Sequence, residues 1–262
     1  MPHREAREFP WWLAAVAAIG AALLVAAATD PVYRSIFGLV SQGIGVTVFV
    51  TLVAFTLASA LGLGLAICVL SKSKLLRHAA RFYIEVMRGL PILVLLLYIA
   101  FVAAPMLVAG WNAIAEPLGL GTLATRDLSL MARAILALAL AYAAFIAEVF
   151  RAGIQSVPAG QVEAAKALGL TGWQRFRLIV FPQALRTILP PLGNDFVALV
   201  KDSSLVSVLG VADITQLGKV YAAGSFRYFE TYNVVAFLYL TMTLGLSLAL
   251  RGLERRLRAR QE

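Results

Sequence analysis

Residues Gly43 to Leu70 read GIGVTVFVTLVAFTLASALGLGLAICVL, 28 residues without one charged side chain. A helix needs about 20 such residues to cross a hydrocarbon core of ~30 Å. The stretch is therefore expected to span a membrane. Small residues recur along it four apart, at Gly43, Thr47 and Thr51 and then at Ala54, Ala58, Gly62 and Ala66. One face of the helix is thus nearly without bulk. In lipid, where no hydrophobic drive holds helices together, such a face lets backbones approach closely, so bundle packing is its expected use.

Working outward, five further apolar runs lie at about 11–28, 89–109, 129–150, 191–212 and 231–250. The fold class expected is all-α, a polytopic membrane helix bundle of about six transmembrane helices. Composition agrees: 61% of residues are hydrophobic and 14% charged, against about 25% charged in a soluble domain. The first run follows a charged start and ends in Ala26-Ala27-Ala28, which raises a cleaved signal peptide. Its 18 residues exceed the usual 7–15 of a signal core, favouring an uncleaved anchor.

The net charge of +9 would suggest nucleic acid if the bases formed a stripe on a polar domain. They fall instead into clusters between apolar runs, so no nucleic-acid partner is expected. Cys68 lies in an apolar run without a second cysteine, excluding an intrachain disulfide and a cysteine metal site. His3 and His78 lie in charged segments and read as solvated, so no metal site is expected.

Orientation follows from the basic residues of each connection. Seventeen lie before run one, between runs two and three, after run four and after run six; five (Arg34, Arg126, Arg133, Lys219, Arg227) lie on the other side. Both termini are then cytoplasmic, and so is the segment from Arg151 to Arg186.

Residues 156–182 form the longest cytoplasmic connection and read as two short helices. Ser156 can cap the first, with Pro158 in its first turn and Gly169 placed to stop it in a left-handed conformation. Thr171 and Gln174 have capping-box spacing for a second, which Pro182 is expected to interrupt. Such an ordered surface fits either a docking site or an amphipathic helix resting on headgroups.

Within this segment, Glu163-Ala164-Ala165, then Gly169, Ile179 and Phe181-Pro182 follow a fixed spacing. The pattern resembles the EAA loop of binding-protein-dependent ABC importer permeases, with Phe181 where leucine is usual. Arg88-Gly89-Leu90-Pro91, Leu189-Pro190-Pro191-Leu192-Gly193-Asn194 and Lys201-Asp202-Ser203-Ser204-Leu205 are similar to motifs of the polar amino-acid branch. Leu95, where glutamine is frequent, and Ser203, where threonine is common, depart from it. The resemblance covers about Gly43 to Leu253. It implies residues 1–42 as a cytoplasmic start, peripheral first helix and outer loop. The permease domain then occupies 43–253 and a basic tail 254–262.

The resemblance further implies a bacterial cytoplasmic (inner) membrane location. It implies ATPase coupling through Glu163, Ala164, Ala165, Gly169, Ile179 and Pro182, which would dock on cytoplasmic ATP-binding-cassette subunits. Those subunits, not this chain, would bind ATP and Mg. An extracytoplasmic solute-binding protein and a second permease copy or related permease would complete the assembly, with membrane lipid around it. The solute implied is a polar amino acid, or an amino-acid-like molecule such as an opine.

Asn194, Asp195, Lys201 and Asp202 interrupt run five, the last pair near its midpoint. A charge there costs about 2.5–3.5 kcal/mol on insertion scales and normally faces a bundle interior or watery cavity. Run five is therefore expected to be central. Val197, Leu205, Ala198 and Val206, four residues from the charges, offer no partner. With Asn194 and Ser203, the pair is a candidate substrate pathway in which Lys201 and Asp202 meet the carboxylate and ammonium of a zwitterion. A structural salt bridge to another helix is the competing reading. Glu148 and Arg151 read as an ordinary helix-surface ion pair, and Arg88 as an interfacial anchor or interhelical contact.

No catalytic residues are expected. Gly218-Lys219 fails the phosphate-loop pattern, with Asp213 where glycine is needed and Val220 after the lysine. No HExxH or GxSxG appears. The competing transport reading is an ion-coupled secondary transporter using Lys201 and Asp202, which would have no need of a structured 156–182 loop.

Overall fold

The computed structural model describes residues 11–258, in which every regular element is helical. His3, Arg4, Arg7 and the end of the basic tail at 259–262 lie outside the described residues. α1 (Trp11–Thr29) leads through Asp30 into α2 (Pro31–Val40). The Asp30 carboxylate accepts from the Val32 N–H at 2.8 Å, and Pro31 occupies the first turn, where its missing N–H costs nothing. The stretch expected as an outer loop is thus helical. It runs through a 3₁₀ turn at Ser41–Gly43 into α3 (Ile44–Leu70).

The small-residue face of α3 is its buried face: Thr47, Thr51, Ala54, Ala58, Gly62 and Ala66 all turn inward. A Cβ on Gly62 would stand 2.9 Å from Ile146 Cγ2 and 3.0 Å from the Ala143 carbonyl oxygen. Glycine there is what lets α3 lie against its neighbour. After α4 (Lys74–Gly89) comes a long helix in two parts, α5 (Ile92–Tyr98) and α6 (Ala104–Ala115), joined by a π-turn at Ile99–Ala103.

α7 (Leu130–Gln155) comes next, started by Ser129, whose hydroxyl accepts from the Ala132 N–H at 3.2 Å. Thirteen of its 26 residues are buried, against four of 22 in α10 (Phe181–Asp202), reached through α8 (Ala159–Ala167) and α9 (Gly172–Arg175). The centre of the bundle is therefore α7, not run five. Alanine-rich on all sides, α7 admits α3, α4, α5 and α10 at short range. The main core joins Val50, Ala58, Leu96, Leu138, Ile146 and Leu199 across these helices. A second core joins Ile36, Val40, Ile214, Val234 and Val235 of α2, α11 (Ile214–Ser225) and α12 (Tyr228–Arg258).

Among the described residues, four helical stretches are long and apolar enough to cross a membrane: Pro31–Leu70, Ile92–Ala115, Leu130–Gln155 and Tyr228–Gly252. The first apolar run forms a helix with an apolar stretch at Leu13–Thr29, and run five is too polar to count by composition alone.

Arg133, expected among the outer loop charges, is buried. Its Nη1 donates to the Ala100 carbonyl at 2.9 Å, its Nε to that of Leu128 at 2.8 Å, and its Nη2 to that of Thr125. The π-turn closes from the Ala104 N–H to the Ile99 carbonyl, so the next acceptor, Ala100, would need an N–H from Pro105. Proline has none. The arginine supplies the missing donor.

Candidate functional site

The two candidate sites lie on consecutive helices of one segment, the first on and after α8 and the second on α10. α8 is preceded by Pro158 and carries no side-chain cap. Ser156, expected as that cap, instead closes α7, its hydroxyl donating to the Gly153 carbonyl at 2.8 Å with Thr187 Oγ1 3.3 Å away. Gly169 adopts φ 76° and ends α8, with the Leu170 N–H reaching back to the Ala165 carbonyl at 3.1 Å. Left-handed geometry strains any residue with a Cβ, which accounts for glycine here.

The capping box forms: the Thr171 hydroxyl accepts from the Gln174 N–H at 3.3 Å, and the Gln174 side chain accepts from the Thr171 N–H at 2.8 Å. Pro182 does not interrupt the helix begun there. A π-turn at Phe176–Val180 closes on the Phe181 N–H immediately before it, and the helix continues as α10 to Asp202. The extra residue in the turn accommodates the ring, as the turn at 99–103 does ahead of Pro105.

Of the coupling candidates, Ala165 is buried, Ile179 half-buried, and Glu163, Ala164, Gly169 and Pro182 exposed. Ala165 holds α8 down while its neighbours face outward. Gln183 Nε2 donates to Gln161 Oε1 at 2.5 Å, tying α8 to α10. Leu168 is 81% exposed and Trp173 67%. Large apolar groups that open beside a glycine-terminated helix make a surface suited to a protein partner or to lipid headgroups.

The pathway candidates divide. Lys201 and Asp202 end α10 instead of lying at mid-helix, because the helix starts at Phe181, ten residues before run five, and Ser203–Leu209 winds as 3₁₀. Asp202 Oδ2 accepts a hydrogen bond of 2.6 Å from the Tyr142 hydroxyl of α7. The two ion pairs among the described residues are Glu148–Arg151, at 2.6 Å, and Arg227–Glu230, so no salt bridge to Lys201 or Asp202 is formed here.

Asn194 and Lys201, seven apart, are both exposed along one stripe of α10. Asp195 and Asp202 share an inner stripe by the same spacing, and Asp195 Oδ2 is buried without a hydrogen-bond partner. Ser203 is fully buried, its hydroxyl donating to the Val200 carbonyl at 2.8 Å, and so turns away from that exposed stripe. Arg88 stacks 5.7 Å over the Phe145 ring, an interhelical contact.

Tyr142 was not identified from the sequence as a site residue. The signal available was its chemistry: it is the one hydrogen-bonding side chain between Arg133 and Glu148. A phenol buried in such a run needs an acceptor from another helix.

Residues 58–260 match the family model described as a binding-protein-dependent transport system inner membrane component. The chain is 35% identical over 210 residues to the probable amino-acid permease protein YxeN of Bacillus subtilis, covering 80% of this chain and 87% of that protein. It is 40% identical over 183 residues to the glutamine transport system permease protein GlnP of Escherichia coli K12, covering 69% and 75%. Its structure aligns with a crystal structure of an amino acid ABC transporter with histidines at a TM-score of 0.70 and 37% identity, covering 84% of this chain and 94% of that one.

Proposed function

This chain belongs to the family of binding-protein-dependent transport system inner membrane components, and we propose that it forms the translocation pathway for polar amino acids in an ATP-driven importer. The observation that carries this reading is the 156–182 segment: a rigid α8 ended by a left-handed Gly169, with Glu163 and Ala164 outward and Ala165 locked beneath. α8 is the coupling helix. It receives the motion of a separate ATPase, which holds ATP and Mg, and α10 carries that motion toward Lys201 and Asp202.

The solute crosses with its carboxylate toward Lys201 and its ammonium toward Asp202, which Tyr142 holds in place when no solute is bound. Asn194 lies on the same exposed stripe as Lys201. A solute-binding protein delivers from outside, and a second permease copy or related permease supplies the other half of the pathway. Both termini face the cytoplasm.

Proteoliposomes containing this chain and its ATPase test the reading: uptake of glutamine, histidine and an opine should require internal ATP and persist when ion gradients are collapsed. Uptake driven by an ion gradient alone would make the chain a secondary transporter. Orientation is tested on a Cys68→Ala background, where a cysteine at Gly160 should resist an impermeant thiol reagent from outside and one at Gly121 should react. The reverse pattern would place the coupling helix on the wrong side.

A further inference from the structure

α4 has three distinct sides, and the transport reading uses none of its outer two. Its inner edge is fixed: Ala80 and Ile84 are buried against Val69, Ala144 and Ala147 of α3 and α7. The Tyr83 hydroxyl donates to the Leu140 carbonyl at 2.9 Å, and Arg88 rests on Phe145. At about 100° per residue, the remaining surface separates into two flanks. Lys74, His78, Arg81 and Arg88 lie along one, with Glu85 as its single acid; Leu75, Phe82 and Val86 lie along the other.

Both flanks are open. Leu75 is 79% exposed and Phe82 73%. The apolar flank follows directly in the chain on the exposed Ile67 and Leu70 at the end of α3. Among the described residues no ion pair involves Lys72, Lys74, Arg77 or Arg81. A helix clamped on one edge, cationic on the second and apolar on the third matches an amphiphile with an anionic head and a hydrocarbon tail. A soluble acidic partner would leave Leu75 and Phe82 in water, and neutral lipid would leave the bases without counter-charge.

We infer that α4, with the exposed Lys72 in the bend just before it, is an interfacial site for anionic phospholipid, in which Lys72, Lys74 and Arg81 take headgroup phosphates while Leu75, Phe82 and Val86 lie among the acyl chains. Each base near an anionic membrane surface raises partitioning by about fivefold at low salt, and screening reduces this as salt rises. The site stands independently of the solute carried.

The test reconstitutes the assembled transporter in nanodiscs of equal phosphatidylglycerol and phosphatidylethanolamine, releases it in mild detergent and counts retained lipids by native mass spectrometry. The wild-type complex should retain phosphatidylglycerol over phosphatidylethanolamine by at least about fivefold. K72Q/K74Q/R81Q should fall to the ratio of the mixture with its thermal midpoint unchanged, while K72R/K74R/R81K keeps the enrichment. A wild-type ratio equal to the mixture overturns the inference without any variant. So does enrichment that survives the triple neutral substitution. If the neutral variant loses the ATPase subunit while lipid retention stays constant, the basic flank belongs to the ATPase and the lipid site is refuted.

Discussion

Gly153, in the last turns of α7, lies at a close approach of α7 to α10 and gives a direct test of how tightly they are joined. A Cβ there would stand 2.2 Å from Ile188 Cγ1, 2.9 Å from Ile188 Cδ1 and 3.3 Å from the Ala184 carbonyl oxygen. Apolar carbons rest at about 3.5–4.0 Å, so relief requires a shift of roughly 1.5 Å. Gly153→Ala gains about 0.5–1 kcal/mol of helix propensity. Overpacking costs about 1–3 kcal/mol, and with buried Ile188 so close the upper part of that range applies, a net loss of about 1–2 kcal/mol. Ile188→Ala alone opens a cavity costing about 2–5 kcal/mol.

In the double substitution the new methyl enters the space that Ile188 leaves. The pair should then be more stable than the sum of the singles by about 0.5–3 kcal/mol. Thermal unfolding of the detergent-solubilised chain measures this cycle, and ATP-driven uptake measures its consequence. α10 carries Pro182 at one end and Asp202 at the other, so uptake should fall in Gly153→Ala and recover in part in the double. Strict additivity, or a Gly153→Ala protein as stable as wild type, would refute the close-packed α7–α10 contact.

Gly169→Val has open space around its Cβ, so its cost is the left-handed backbone, about 1–2 kcal/mol; membrane insertion should be normal and solute-stimulated ATPase activity lost, and intact stimulation would remove α8 as the coupling helix. Lys201→Met and Asp202→Asn should keep a near-normal thermal midpoint while uptake falls or shifts in charge preference, whereas stability lost in parallel would make the pair structural. Tyr142→Phe tests the same point from α7: if the phenol only holds Asp202, uptake drops less than in Asp202→Asn. Arg133→Met should strip the donors from the Leu128, Ala100 and Thr125 carbonyls and lower stability by about 3 kcal/mol; adding Pro105→Ala, which restores an N–H for Ala100, should return about 1 kcal/mol.

What the sequence determined alone was whatever depends on near neighbours along the chain. Its hydropathy specified an all-helical membrane protein, and the four-residue recurrence from Gly43 to Ala66 specified which face of α3 is buried, because helical period converts spacing directly into direction. The left-handed stop at Gly169 and the Thr171–Gln174 box were legible for the same reason, being closed within five residues. The ends of α10 were not. Pro182 reads locally as a break, yet one extra residue in a π-turn lets the helix pass it, and with Ser203–Leu209 wound as 3₁₀ this puts Lys201 and Asp202 at a helix end instead of mid-helix. Partners across the bundle were equally hidden: Tyr142 meets Asp202 from 60 residues away and Arg133 meets Ala100 from 33. Those pairings depend on where helices cross, and that was decided by the small side chains of α7. Admitting neighbours on several sides, they put α7 instead of the charged helix at the centre of the fold.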